Sequence, residues 1–206
     1  MKTEKAFVGS RGIDSLPFSQ NGTNAQASAL KESGIDFFIG YLGVINTGRL
    51  QILLDNDIAF MPVTLAAKYD GTVTVAQCKV LGLPLGTTVW LDLEGQAAFN
   101  TPVTELISKI NVWANAVKFG GYEPGIYVGS PQPLTSEELY ALHVVRYWNA
   151  LSRESDRNNK LAEPSCGWCM WQMNPSVVWK DTGVFVDVNM IGQDFKDRVP
   201  TWVINS

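Results

Sequence analysis

Two acidic residues, Asp92 and Glu94, stand at the end of an apolar run, residues 87–95, which reads TTVWLDLEG. Its β-branched and aromatic residues predict a buried strand, and side chains two positions apart in a strand point to the same side. Burying an unpaired carboxylate costs several kcal/mol, so acids in such a position need partners or a function. Paired carboxylates suit acid–base chemistry, but a structural ion pair or two solvated acids at a frayed strand end would give the same pattern.

Three further polar residues belong to apolar stretches that we predict to be strands. Asp14 follows the first predicted strand, Gln172 lies in a late aromatic strand, and Asp187 lies in the valine-rich stretch 184–191. Alternation places Asp187 and Asn189 on one face and valines on the other, which is typical of a strand between a polar interior and a layer of helices. A structural hydrogen-bond acceptor is the alternative role for Asp187.

Four aromatic residues are predicted near the same strand ends: Tyr41, Tyr127, Trp148 and Trp171. Aromatic side chains can stack on the faces of sugar rings, and they also fill apolar cores. Together with Gln172 they form the candidate substrate-binding set.

The order of predicted elements indicates a sheet of parallel strands with helices outside it. Strands are predicted at 6–8, 36–43, 58–65, 87–95, 124–129, 144–151, 168–173 and 184–191, and helices at 23–33, 47–56, 73–81, 102–119 and 135–143. Thr101 is the predicted N-cap of the longest helix, and Thr135 with Glu138 forms a predicted capping box. Residues 152–164 are polar enough for a surface loop or short helix, and 194–199 could form a final helical turn.

Such a sheet is either closed as a barrel or open and doubly wound, and we favour the barrel. Because 206 residues are few for eight complete β/α units, the last strands should lack helices. We therefore predict an α/β fold, an irregular TIM-like β/α barrel with the last strands lacking intervening helices. Functional groups in such barrels stand at the carboxyl ends of the strands, where Asp14, Asp92 and Glu94 are predicted to lie.

Composition favours a single globular domain covering residues 1–206. The chain is 46% hydrophobic and 17% charged, with a net charge of −4. That charge argues against a surface for nucleic acid or anionic lipid, which requires clustered Lys and Arg. No apolar run approaches the length of a membrane span, and no apolar segment precedes the first predicted strand, so we expect no secretory signal peptide.

Cysteine and histidine are too scarce for a disulfide framework or a zinc site. The three cysteines are Cys78, Cys166 and Cys169, and His143 is the single histidine. Cys166 and Cys169 have the spacing of a redox motif, but they follow no early strand and precede no helix, so buried thiols are the expected state. We expect neither a metal nor a cofactor.

Five motifs occur in an order that resembles the lysozyme-like N-acetylmuramidases of glycoside hydrolase family 25. They are GIDS at 12–15, WLDLE at 90–94, GIYVG at 125–129, MWQ at 170–172 and VDVN at 186–189. The chain is more similar still to the related glycoside-hydrolase-like barrels long classed as a domain of unknown function, which share the first aspartate and the Asp-x-Glu pair. The resemblance covers nearly the whole chain.

The resemblance implies a catalytic role for the acids. Glu94 would be the general acid, Asp92 would stabilise positive charge at the anomeric carbon, and the substrate's acetamido group would be the nucleophile. Asp14 and Asp187 would line the subsite and tune the pair. The implied substrate is peptidoglycan or a related amino-sugar glycan. A protein made in the cytoplasm without a signal peptide would reach the cell wall or periplasm by another export route or after lysis, as a phage lysin or an antibacterial effector.

Two other functions agree with the same residues. The first is a non-catalytic barrel that binds a glycan or protein partner. The second is metal-assisted phosphodiester hydrolysis, because grouped carboxylates can hold Mg²⁺, although few basic residues near the motifs would receive a phosphate.

Overall fold

A computed structural model of the protein describes residues 1–65, 68–150, 165–179 and 183–206. Its strands are β1 (Lys2–Lys5), β2 (Arg11–Asp14), β3 (Phe37–Tyr41), β4 (Ala59–Val63), β5 (Thr88–Leu93), β6 (Glu123–Val128), β7 (Arg146–Asn149), β8 (Met170–Val178), β9 (Phe185–Ile191) and β10 (Thr201–Ile204). Its helices are α1 (Leu16–Asn21), α2 (Asn24–Glu32), α3 (Thr47–Asp55), α4 (Gly71–Val80), α5 (Gly95–Phe99), α6 (Val103–Phe119) and α7 (Ser136–Tyr140).

Eight strands, β2 to β9, close into a barrel. The pairs from β2–β3 through β7–β8 are parallel, whereas β9 is antiparallel to both β8 and β2. Only six residues separate β8 from β9, too few for the crossover that a parallel pair needs. The predicted TIM-like barrel, with last strands lacking an intervening helix, is therefore confirmed.

The β2–β9 pair closes the barrel and joins two acids from opposite ends of the chain. Asp14 lies directly opposite Asp187 in the ladder. Directly opposed residues have Cβ atoms about 4.5–5.5 Å apart, so closure itself makes these two carboxylates neighbours.

The strands β1 and β10 form an antiparallel ribbon outside the barrel. β10 joins β4 at the amino end of that strand through Val203 and Phe60, while β4 pairs with β5 only at Val63 and Trp90. The backbone N–H of Thr201 in β10 also donates to Thr88 Oγ1 in β5 at 2.9 Å. β10 thus lies between β4 and β5 at the amino end of the barrel.

The predictions for the two chain ends were wrong. Residues 6–8, predicted as the first strand, form a connection in which Phe7 and Val8 are 61% and 58% exposed, and Gly9 turns the chain with φ +88°. Residues 194–199 form a non-helical turn rather than the predicted helical turn. The reason is that the Asp194 carboxylate accepts hydrogen bonds from the backbone N–H groups of Lys196 and Arg198. The stretch 152–164 lies outside the described residues.

The helix termini follow local side-chain chemistry. Thr23 and Thr135 each form a capping box, the second as predicted. α6 begins one residue later than predicted, with Pro102 as N-cap, because Thr101 Oγ1 donates to the preceding Ala97 carbonyl. α1 and α5 were not predicted.

Two apolar layers hold the barrel together. The outer layer packs the helices on the outward side chains of the strands, and it includes Leu30, Leu53 and Trp113. The inner layer fills the barrel with residues such as Met61 and Trp90, as expected for a barrel whose interior is packed rather than open.

No helix in the described part of the chain combines the length and apolar character that a membrane span requires.

Candidate active site

A small cavity at the carboxyl ends of the barrel strands contains the predicted acids, and we name it the acid cavity. Its lining consists of Asp14, Tyr41, Val63, Asp92, Glu94, Tyr127, Trp148, Gln172 and Asp187. Its volume is about 30 Å³, which suffices for one or two water molecules. A sugar would therefore contact the acids from the mouth of the cavity rather than from inside it.

Asp14 interacts with Asn189, Tyr41 and Gln172 at the base of the cavity. Asn189 Nδ2 donates to Asp14 Oδ2 at 2.7 Å, and the Tyr41 hydroxyl donates to Oδ1 at 3.2 Å. Burial first, and the charge of Asp187 second, raise the pKa of Asp14 to about 7. Asp14 is therefore a carboxyl group that can carry a proton near neutral pH.

Asn189 connects the two opposed aspartates. It is fully buried, and its Nδ2 donates to the Asp187 carbonyl oxygen at 3.2 Å as well as to Asp14. Its Oδ1 atom is buried with no partner among the described residues. After rotation of the Asn189 amide, a protonated Asp14 could donate a hydrogen bond to this oxygen. The Asn189 side chain can therefore donate to Asp14 when Asp14 is ionised and accept from it when Asp14 is protonated.

A second hydrogen-bond chain fixes Asp187. Gln172 Nε2 donates to Asp187 Oδ2 at 2.8 Å, and the Tyr127 hydroxyl donates to Gln172 Oε1 at 2.9 Å. A carboxylate oxygen accepts hydrogen bonds, so Asp187 selects the NH₂ group of Gln172 and leaves the amide oxygen to accept from the Tyr127 hydroxyl, which can donate or accept. Gln172, predicted as a substrate-binding residue, thus acts in the structure on Asp187.

Tyr41 is the third polar side chain beside Asp14 and Asp187. Burial first, and then the charges of Asp14 and Asp92, raise the pKa of its hydroxyl above the ordinary value. The hydroxyl therefore remains protonated, and remains a donor, throughout the neutral range.

Asp92 and Glu94 stand on the opposite side of the barrel, at the end of β5. The backbone N–H of Asp92 donates to Thr64 Oγ1 at 3.1 Å, which ties the end of β5 to that of β4. Glu94 is extended, with φ −158° and ψ 174°, and Gly95 then turns the chain with φ +87°, a conformation that favours glycine. Asp92 is buried, whereas Glu94 is half-buried at the cavity.

Gly129 leaves room for the Glu94 side chain. A Cβ atom at position 129 would overlap Glu94 Oε2 and would lie 2.7 Å from both Glu94 Cβ and Tyr127 Cε1. The glycine that follows β6 is therefore part of the site, since only a residue without a side chain permits this position of Glu94.

The aromatic residues differ in how much of each ring reaches the cavity surface. Tyr127 and Trp148 pack with ring centroids 4.4 Å apart and are only 5% and 2% exposed, so they form the floor, whereas Tyr41 is half-buried. The prediction that Trp171 lies with them was wrong. Its ring packs on the outer layer and against Gly192, because adjacent residues of β8 point to opposite faces.

Two residues near the acids were not predicted from sequence. Thr64, which lies inside the predicted strand 58–65, carried no signal, and Tyr69 lies in the connection that follows β4. Burial, and then the charge of Asp92, raise the pKa of Tyr69 to about 12, so its phenol lies within electrostatic range of Asp92. Asn189 did carry a signal, since it alternates with Asp187 in the sequence.

The cysteines are free thiols, and Cys78 and Cys169 are buried, whereas Cys166, expected to be buried, is half-buried. Burial raises the pKa of Cys78 and of Cys169 to about 12, which leaves both protonated and unreactive. Within the ranges that the structure describes, no group of three or more His, Cys, Asp or Glu side chains is arranged to hold a metal ion.

Comparisons with known proteins bear on the fold. No protein-family model matches the chain, and no curated protein matches it. Among solved structures, an uncharacterized B. stearothermophilus protein is similar with a TM-score of 0.66 and 17% identity, over 89% of this chain and 96% of that one. A glycosyl hydrolase 25 virulence factor of Streptococcus pneumoniae, described as participating in host cell invasion, has a TM-score of 0.55 and 14% identity, over 88% of this chain and 86% of that one.

A third similar structure is a xylose isomerase-like TIM-barrel protein of Mycobacterium smegmatis in complex with magnesium. Its TM-score is 0.56 at 10% identity, over 90% of this chain and 82% of that one. These likenesses show the barrel fold alone.

Proposed function

We propose that this protein is a glycoside hydrolase that cleaves the glycan strands of peptidoglycan. The observation that carries the proposal is the meeting of four carboxylates, from β2, from β9 and from the end of β5, in one cavity bordered by aromatic rings. Glycoside cleavage requires one carboxyl group to be protonated while another is ionised. The fold shared with a pneumococcal glycosyl hydrolase 25 protein supports the same class of enzyme.

Glu94 is the proposed general acid. It is half-buried at the cavity and follows the end of β5, where a bound glycan can reach it. Its proton passes to the glycosidic oxygen as the bond from that oxygen to the anomeric carbon breaks, and the substrate's acetamido oxygen bonds to that carbon. A water then opens the cyclic intermediate and gives its proton to Glu94, which restores the acid.

The remaining acids supply charge and hold the geometry. Asp92, ionised, stabilises the positive charge that develops on the sugar and its acetamido group. A proton on Asp14 limits the negative charge beside Asp187. Tyr41 is the aromatic residue best placed to contact the sugar, with Tyr127 and Trp148 as the floor below it.

Replacement of the acid tests the assignment. We expect Glu94→Gln to lower the release of reducing ends from purified peptidoglycan by about 10²–10⁴-fold, since that is the usual contribution of a general acid, while the thermal midpoint stays close to that of the wild type. The matched control is Glu137→Gln, an exposed glutamate on α7, which should leave turnover unchanged. Chromatography with mass spectrometry of the soluble fragments identifies the bond that is cut.

Three outcomes would contradict the proposal in different ways. If the wild-type protein released no fragments from any wall type, it would not be a peptidoglycan hydrolase. A Glu94→Gln variant with full biological effect would favour a barrel that only binds glycan. Loss of turnover in chelator, restored by Mg²⁺, would favour metal-assisted hydrolysis, for which grouped carboxylates are suited.

The same proposal places the activity at the cell wall or in the periplasm, reached by export or by lysis, in the manner of a phage lysin or an antibacterial effector. Expression of the chain behind an added secretion signal should lyse bacteria, whereas expression without the signal should not. Glu94→Gln should abolish the difference.

A further inference from the structure

A second and larger cavity lies at the opposite end of the barrel, and we name it the amino-end cavity. Its volume is about 280 Å³. It is a half-open cavity bordered by the β1–β10 ribbon, the ends of α2 and α3, and the starts of β3 and β4. Its apolar wall consists of Phe7, Leu54, Ile58, Ala59, Trp202 and Ile204. It shares no lining residue with the acid cavity.

The apolar wall is built around one aromatic group. Trp202 is 3% exposed, and its ring centroid lies 5.9 Å from that of Phe37 and 5.8 Å from that of Phe7. Phe7, in the connection between β1 and β2, extends this wall to the surface. The volume of this half-open cavity approaches the roughly 300–1,000 Å³ of ligand pockets.

The polar lining has an excess of negative charge. Three carboxylates, those of Glu4, Asp36 and Asp57, border the cavity together with one ammonium group, that of Lys31. Lys31 Nζ donates to the Asp57 carbonyl oxygen at 2.9 Å, which holds this ammonium group beside the end of α3. An apolar cavity with acidic residues at its border is complementary to a ligand that is apolar in its body and positive at one end.

We propose that the amino-end cavity binds a small aliphatic ammonium ion. The alkyl part packs against Leu54, Ile58 and Trp202, where it gains about 25 cal/mol for each Å² of apolar area removed from water. The ammonium group lies among the three carboxylates that border the cavity. The proposal is independent of the function assigned to the acid cavity.

Three probes of equal chain length separate charge from apolar burial. The ¹⁵N-labelled full chain is titrated with n-hexylammonium, n-hexanol and hexanoate at pH 7 and constant ionic strength, and binding is followed by the shifts of backbone amide signals. We expect the ammonium ion to shift the amides of Ser10, Ala59 and Ile204. We expect n-hexanol to bind at least about tenfold more weakly, because it lacks the charge, and hexanoate to bind more weakly than n-hexanol, because like charges repel.

Two substitutions remove charge without removing shape. Asp36→Asn keeps an oxygen that can accept the bond that Arg11 N–H donates to the carboxylate at 3.1 Å. Asp57→Asn suits the φ of +55° at that position, since asparagine tolerates the left-handed region. The double variant should bind n-hexylammonium about tenfold more weakly. Glu137→Gln, an exposed glutamate on α7 outside the cavity lining, is the matched control, and Asp14→Asn should also leave binding unchanged.

Any of three results would overturn the proposal. Equal affinities for the three probes would mean an apolar crevice without charge selection. Shifts confined to Asp92 and Gly129 would mean that the cation enters the acid cavity instead. Unchanged affinity in the double variant would remove the carboxylates from recognition.

Discussion

The position of Glu94 depends on the absence of a side chain at Gly129. The two residues follow neighbouring strands, and Gly129 N–H donates to the Leu93 carbonyl at 3.0 Å. The backbone that follows β6 therefore passes within contact distance of the residue that follows β5. The glutamate is held by the fold rather than by its own chain segment alone.

Gly129→Ala should displace Glu94 and lower turnover by roughly 10- to 100-fold, because small misplacements of a catalytic group have effects of that size. The thermal midpoint should also fall, since the added Cβ meets Glu94 Cβ and the buried Tyr127 ring, and rotation of the Glu94 side chain relieves neither contact. Steady-state kinetics on peptidoglycan checks the result. Gly48→Ala is the control, because a Cβ there meets only Asn46 Oδ1 at 3.4 Å; equal activity of both variants with the wild type would contradict the argument.

Asp14 links folding to proton uptake. In the unfolded chain its pKa is about 3.9, whereas in the folded protein burial and Asp187 raise the pKa to about 7. Between these values the folded state binds more protons, so the stability that this group contributes is complete below about pH 4 and is lost as the pH rises through about 7.

Asp14→Asn should therefore stabilise the protein at pH 8 and flatten the dependence of its thermal midpoint on pH between about 4 and 7. The gain is at most about 4 kcal/mol, from about 1.4 kcal/mol per unit of pKa. Thermal melts at pH 5 and pH 8 measure it. Asp55→Asn should keep the wild-type pH dependence. If the thermal midpoint of Asp14→Asn at pH 8 were lower than that of the wild type, the idea that an ionised Asp14 destabilises the folded protein would be contradicted.

At the scale of elements, β10 is the strand with the most unusual position. It enters between β4 and β5, and its Thr201 N–H is satisfied by Thr88 Oγ1 in place of a backbone carbonyl. Thr88 Oγ1 in turn donates to Glu123 Oε2 at 3.1 Å. One buried hydroxyl thus connects the ribbon with two barrel strands.

Thr88→Val, which keeps the shape, should lower the free energy of unfolding by about 1–3 kcal/mol, the usual cost of leaving a buried polar group unpaired. Denaturant titration followed by circular dichroism measures this change. Thr3→Val in β1 is the control, since Thr3 is only half-buried. Similar losses in the two variants would mean that the hydroxyl of Thr88 is not specifically required.

The central elements were predictable because local signals agreed with the fold. Alternating apolar strands, Gly34 after α2 and the apolar stripe of α6 placed those elements within a few residues. β1 and β10 were not predictable, since four-residue strands outside the barrel owe their existence to pairing with each other and with β4. The acids were predictable because a charged side chain within an apolar strand requires a partner or a function. Trp171 was mispredicted, although strand geometry already excluded it: adjacent residues of a strand point to opposite faces, so Trp171 cannot share a face with Gln172.

At the scale of the whole molecule, the barrel distributes the site over nearly the entire chain. β2 supplies Asp14, β5 leads to Glu94, and β9 supplies Asp187. No segment shorter than the closed barrel contains the complete cavity, which is why spacing in the sequence could indicate the acids but not their hydrogen bonds.

The antiparallel pairing of β9 with β2 also has a consequence for synthesis. A ribosome adds about 5–20 residues per second, so the stretch of about 170 residues from Asp14 to Asp187 takes roughly 9–35 s to make. Asp14 is made at the start of that interval and Asp187 at its end. Until then Asp14 faces water without its partner strand, and a chain that stops before β9 cannot form the acid cavity. The order of translation thus delays assembly of the cavity until β9 has been made.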